Sequence, residues 1–159
     1  MKVAIVGAGA IGGVLGGRLA WRGHEVALVA RGDHLAAIRR DGLRLVDHVG
    51  EASGAYRLAA SDDPADFGAQ DLVVVALKAQ AIGGMLPRLR SLLKEDTVVV
   101  PAINGLPWWY FHREAGPHEG RWLRTLDPRW DANVPSPALV PVPIRSHPRL
   151  RDPRRHRSG

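Results

Sequence analysis

The first two dozen residues restrict the fold more than any other part of the chain. Lys2 to Val6 is a short apolar and β-branched run, the pattern of a strand buried on both faces of a parallel sheet. It stops at Gly7, and Gly7 to Gly12 read GAGAIG. Gly13 to Trp21 then carry apolar positions suited to a helix, which Gly23 closes. A strand, a G-x-G-x-x-G turn and a helix in direct succession predict the first unit of a dinucleotide-binding α/β sheet. In such a unit Gly7 permits the tight turn, Gly9 lets the backbone approach a pyrophosphate, and Gly12 lets the helix pack closely on the strand. The free N–H groups and the positive dipole end of the helix complete an anion site. Gly16 and Gly17 are explained by close helix packing and receive no ligand role.

The second strand, Glu25 to Ala30, decides which dinucleotide. A site for NAD usually ends this strand on an acid that holds the ribose 2′-hydroxyl, whereas here Ala30 is followed by Arg31 and Gly32. A guanidinium about 4 Å from a 2′-phosphate charge gains roughly 1 kcal/mol in water and up to about 4 kcal/mol near a protein surface, and an acid would repel it comparably. NADP(H) is the predicted cofactor, with Arg31 on its 2′-phosphate.

Composition excludes several other chemistries. With no cysteine among 159 residues, disulfides, thiolate metal sites and a cysteine nucleophile are ruled out, which fits a reducing cytoplasm. Residues 1–126 hold 15 Lys/Arg against 13 Asp/Glu and residues 127–159 hold 7 against 3, so most of the net +6 lies in the last 33 residues. The body is nearly balanced, and no specific nucleic-acid face is expected on it. The uncharged run from Val3 to Gly17 would span only about 22 Å as a helix, against a hydrocarbon core of roughly 30 Å. Its six glycines also suit a targeting or membrane helix poorly, so no membrane segment is expected.

Further along, Asp33 is placed to cap a helix from His34 to Arg40 that Gly42 ends. Leu43 to Val46 and Tyr56 to Ala59 suggest a small hairpin. Asp71 introduces Leu72 to Leu77, LVVVAL, the strongest buried-strand signal in the chain, with Lys78 at its carboxyl end. Ala79 to Leu93 forms a crossover helix, weakened by Gly83, Gly84 and Pro87, before another strand from Thr97 to Pro101 runs out to Asn104. Open parallel sheets bind ligands beyond the carboxyl ends of their strands, so Gly7 to Gly12, Lys78 and Asn104 should share one edge. The aromatic run Trp108 to Phe111 reads as packing. His112, Glu114 and His118 lack the spacing that would place two metal ligands on one helix face, and no metal site is assigned.

At this point the sequence resembles the ketopantoate reductase (2-dehydropantoate 2-reductase) family. The similarity lies in MKVAIVGAGAIGG at the start, VARGDHLAAIRRDGLRL at 29–45, DLVVVALKAQ at 71–80 and VVVPAINGLP at 98–107, in matching order, and it covers about residues 1–127. The resemblance implies a Rossmann-like, doubly wound and mainly parallel sheet over residues 1–126. It implies that Gly7, Ala8, Gly9, Ala10, Ile11 and Gly12 hold the pyrophosphate, Arg31 the 2′-phosphate, Lys78 the cofactor near its ribose, and Asn104 the nicotinamide and the substrate. The implied activity is hydride transfer from NADPH to the C2 carbonyl of 2-dehydropantoate, a small 2-keto acid, giving pantoate for pantothenate synthesis.

The chain also departs from that family, which adds a helical domain whose lysine donates a proton to the keto group. The lysines here are Lys2, Lys78 and Lys94, so that donor has no counterpart and no catalytic residue is identified. Residues 127–159 carry 7 of the 12 prolines and seven arginines, and they are expected to be an irregular or disordered tail on an incomplete sheet. Of two origins for this tail, a frame shift or truncation after about Asp127 is preferred over a native interaction segment. The expectation is cofactor binding with little or no turnover. Two rival readings stand beside it: a reductase or dehydrogenase of another small 2-keto or hydroxy acid, and a non-catalytic nucleotide-binding module.

Overall fold

A computed structural model of the chain describes residues 1–48, 50–103, 116–119 and 121. Asn104, the aromatic run at 108–111, His112, Glu114 and the segment 127–159 lie outside the described residues. The sequence signals translate into five parallel strands: β1 (Lys2–Val6), β2 (Glu25–Val29), β5 (Ala59–Ser61), β6 (Leu72–Val75) and β7 (Val98–Pro101). They lie side by side in the order β5-β2-β1-β6-β7, so the strands appear third, second, first, fourth and fifth across the sheet. This is the Rossmann-like order, and it reverses direction between β1 and β6.

Side-chain alternation divides the sheet into two buried faces. Ala4, Val6, Val73 and Val75 point to one side, where helix α3 (Ala79–Leu89) and the 3₁₀ turn Arg90–Leu92 cover them with Ile82, Leu89 and Leu92. Val3, Ile5, Val26, Leu28 and Val74 point to the other, beneath Leu35 and Ile38 of helix α2 (Gly32–Asp41) and Leu15 and Leu19 of helix α1 (Ala10–Trp21). Each buried Val, Leu or Ile among them contributes roughly 1.5–3 kcal/mol by leaving water. The buried residues of α1 are all glycines, at 12, 13, 16 and 17. A methyl group on Gly16 would stand 3.1 Å from Leu28 Cδ2, and one on Gly17 would stand 2.9 Å from Leu45 Cδ2. Close helix packing therefore accounts for both.

Several element boundaries differ from the sequence reading for identifiable reasons. The hairpin exists, but β3 (Leu43–Leu45) pairs antiparallel with β4 (Gly54–Tyr56), and Ala59 instead opens β5, which joins the main sheet alongside β2. The Ala-Ala-Ser sequence of β5 has almost no intrinsic strand signal; pairing with β2 recruits it. Helix α2 begins at Gly32 with Arg31 as its extended N-cap residue, so Asp33 lies inside the first turn and provides no side-chain cap. There it still favours the positive helix end electrostatically. Pro87 lies in the last turn of α3, where its missing N–H fits an early end at Leu89. Among the described residues no helix is long and apolar enough to cross a membrane.

The amino ends of the strands are tied together by Asp71. Its carboxylate accepts from the Lys2 backbone N–H at 2.7 Å and from Lys94 Nζ at 2.7 Å, joining β1, β6 and the turn before β7. The Lys94 ammonium, then the Lys2 amide, hold the Asp71 carboxyl below the usual carboxylate range. A depressed carboxyl stabilises the fold fully above the unfolded-state pKa and stops doing so as pH falls through the folded value. Asp71→Asn is expected to lower Tm at pH 7, and in thermal melts its gap from the wild type should close as pH falls from the ordinary carboxylate range through the lower folded value. A gap that persists in acid would mean that the carboxylate charge is irrelevant to the tie.

Candidate functional site

The carboxyl ends of the strands are held level by backbone hydrogen bonds that run just past each strand. Gly7 N–H donates to Val29 O at 3.0 Å, Ala30 N–H to Ser61 O at 3.0 Å, Ala76 N–H to Val6 O at 2.8 Å, and Ala102 N–H to Val75 O at 2.8 Å. Four loops consequently leave the sheet at the same edge. Where the strand order reverses, the segments that follow β1, β2, β5 and β6 line a cleft of about 630 Å³.

One wall of the cleft is the glycine turn. Gly7 has φ +101°, in the region that favours glycine, and a methyl group there would stand 2.8 Å from Ala76 O. Gly9 is different. Its φ is −68° and a methyl group on it would meet nothing within 4 Å, so neither its conformation nor its packing requires glycine. The open space beyond Gly9 lies at the start of α1. There the amides of Gly9, Ala10, Ile11 and Gly12 have no intrahelical acceptor, no side chain caps them, and no acid stands in the first turn. Such a helix start suits a negatively charged group. Gly12 itself is buried behind the turn, while Ala10 and Ile11 are exposed at its rim.

Arg31 lines the next stretch of the cleft as α2 begins. Its guanidinium makes no hydrogen bond or ion pair with a described residue, so its charge is free to meet a ligand. Beside it the His34 ring Nε2–H donates to the Ala8 carbonyl oxygen at 2.6 Å, fixing α2 against the glycine turn. Across the cleft, α3 presents Gln80, Ala81, Gly84, Met85 and Arg88, a helical stripe. Asp62, just past β5, supplies the one acid of the lining among the described residues.

The structure thus brings Gly7, Ala8, Gly9 and Arg31 together. Lys78 is at the expected strand end but stands exposed at the N-cap position of α3, outside the lining of the cleft. His34, Asp62, Gln80 and Arg88 went unnoticed in the sequence. A helical spacing from residue 80 to 88, on the crossover helix expected from Ala79, is the signal for two of them. Nothing local marks the other two. Among the described residues, no group of three or more His, Asp or Glu could hold a metal ion.

Comparison with known proteins agrees with the fold. Residues 3–119 match the family model for ketopantoate reductase PanE/ApbA. A 2-dehydropantoate 2-reductase of Mesorhizobium japonicum is 47% identical over 129 residues, covering 80% of this chain and 39% of that protein. A solved structure from Ralstonia solanacearum MolK2, assigned to the ketopantoate reductases, superposes with a TM-score of 0.73 at 42% identity, covering 80% of this chain and 39% of that one. A D-mandelate dehydrogenase solved with NADH and anilino(oxo)acetate gives a TM-score of 0.60 at 31% identity, covering 67% of this chain and 35% of that one. The chain therefore spans about two fifths of the length of these relatives.

Proposed function

This chain belongs to the ketopantoate reductase PanE/ApbA family, and we propose that its residues 1–126 form the domain that binds NADPH for reduction of 2-dehydropantoate to pantoate. The observation that carries the reading is Gly9. The chain gives no steric reason for a glycine there, and the uncapped amides of α1 face the same open space at the reversal of strand order. A pyrophosphate supplies both the bulk and the charge that such a space would accept.

When bound, NADPH supplies the hydride, and the residues described here bind and orient it. Gly7 to Gly12 receive the pyrophosphate, with Gly12 acting through the position of the helix rather than by contact. Arg31 receives the 2′-phosphate, and its guanidinium, without a partner among the described residues, supports that role. Lys78 reaches the ribose from the rim, and Asn104 serves the nicotinamide and the substrate. Proton delivery to the keto oxygen is assigned to none of these residues.

A second reading, NADH, is favoured by the carboxylate of Asp62 in the lining and by the NADH-bound D-mandelate dehydrogenase among the similar structures. That relative also favours a second substrate reading, a different small 2-keto or hydroxy acid. The cofactor is decided by titrating the purified chain with NADPH and NADH, following tryptophan fluorescence. Arg31→Ala is expected to raise the NADPH dissociation constant roughly ten- to a hundredfold and to change that of NADH less than about twofold. Equal effects on the two would remove Arg31 from the phosphate site.

A further inference from the structure

We propose that Arg88 is a second specificity-determining cation for the 2′-phosphate, set against the acids of the loop after β5. The inference rests on the reading of the cleft as an NADPH site and extends it to the wall opposite Arg31. Strands β2 and β5 are neighbours, and Ala30 N–H donates to Ser61 O, so Asp62 leaves the sheet beside Arg31. Arg88 reaches that loop from α3, its Nη2 donating to the Asp62 carbonyl at 3.0 Å. Two guanidinium groups from different halves of the fold are thereby brought to one end of the cleft, with Asp62 between them.

The charges at this end explain why both are needed. Without Arg88, the charge of Arg31 in the lining is offset by that of Asp62, with Asp63 next along the same loop, which leaves no net attraction for a phosphate dianion. Arg88 adds a second positive charge to the lining, and the positive end of α2, whose N-cap residue is Arg31, lies at the same corner. Its existing contacts leave it available. One donor serves a neutral carbonyl, and the approach to Asp63 Oδ1 is 3.5 Å, longer than a normal charged hydrogen bond, with the Arg88 side chain 46% exposed. Asp63 is itself engaged, accepting from Ala65 N–H at 3.0 Å as it caps the turn Pro64–Phe67. A guanidinium carries five N–H donors, so Arg88 can hold the loop and a phosphate oxygen at once.

The test uses the whole 159-residue chain, titrated with NADPH and NADH at two ionic strengths. Arg88→Gln is expected to weaken NADPH roughly five- to twentyfold and NADH less than about twofold, with a shallower salt dependence for NADPH than in the wild type. Arg88→Lys should recover part of the loss, and Asp63→Asn, which keeps the turn cap and removes a competing charge, should tighten NADPH. A purely structural strap would lower Tm and weaken both dinucleotides alike, and that outcome overturns the proposal, as does unchanged NADPH binding in Arg88→Gln. A wild-type chain that binds neither dinucleotide fails at the earlier step, the reading of the cleft, and takes this role with it. NADPH binding that depends on Arg31 but ignores Arg88 leaves that reading standing and removes only the second cation.

Discussion

Gly9→Ala should raise the dissociation constant for NADPH at least about a hundredfold while the folded chain keeps its structure. The argument is one of space. An alanine methyl at this position meets no atom of the protein within 4 Å, and the backbone angles of Gly9 are open to any residue. The expected cost to the fold is below about 1 kcal/mol, the difference between glycine and alanine as an N-cap residue. The methyl instead occupies the ground that a pyrophosphate needs if it is to reach the first amides of α1. Two lost hydrogen bonds to a charged group, at about 1.5–3 kcal/mol each, account for the fall in affinity. Calorimetric titration measures the binding, and far-UV circular dichroism with a thermal melt measures the fold. Unimpaired binding in a well-folded Gly9→Ala chain would show that the phosphates lie elsewhere.

The legibility of this chain in its sequence followed the range of the interactions involved. Strands β1, β2, β6 and β7 are β-branched runs whose own chemistry fits a doubly covered sheet, and they were readable within a few residues. The glycine turn was readable because its parts are adjacent in sequence. The place of Arg31 at the sheet edge was readable too, because it stands two residues past the end of β2. Strand β5 was not, since Ala59, Ala60 and Ser61 acquire their conformation from β2 rather than from their side chains. That omission hid Asp62, whose place in the cleft depends on β5 entering the main sheet. Arg88 was hidden for a related reason: its contact with Asp62 spans 26 residues and requires both α3 and β5 to be in place. Lys78 was located correctly at its strand end, but its exposed place outside the lining depends on where α3 begins and was not readable from the strand alone.

The same motif contains a glycine with the opposite consequence, and the contrast separates packing from binding. Gly12→Ala would place a methyl carbon 1.9 Å from the Gly7 carbonyl oxygen and 3.0 Å from Ile5 Cγ2. The oxygen belongs to the backbone of a turn fixed on one side by its bond to Val29, and Gly13 N–H already reaches Gly9 O at 2.6 Å. Helix α1 therefore has to move away from β1. Its inner face of glycines allows that only by opening gaps against Leu28 and Leu45, which rest directly on Gly16 and Gly17. Overpacking of this kind costs about 3 kcal/mol or more, so Tm should fall by roughly 10–20 °C for a domain of this size. NADPH binding should weaken as well, because the displaced helix carries the amides with it, yet the loss would track the unfolded or distorted fraction. If Gly12→Ala instead melted within a few degrees of the wild type, the close seat of α1 on β1 would be wrong. The two glycines would then differ for some reason other than what lies beyond each of them.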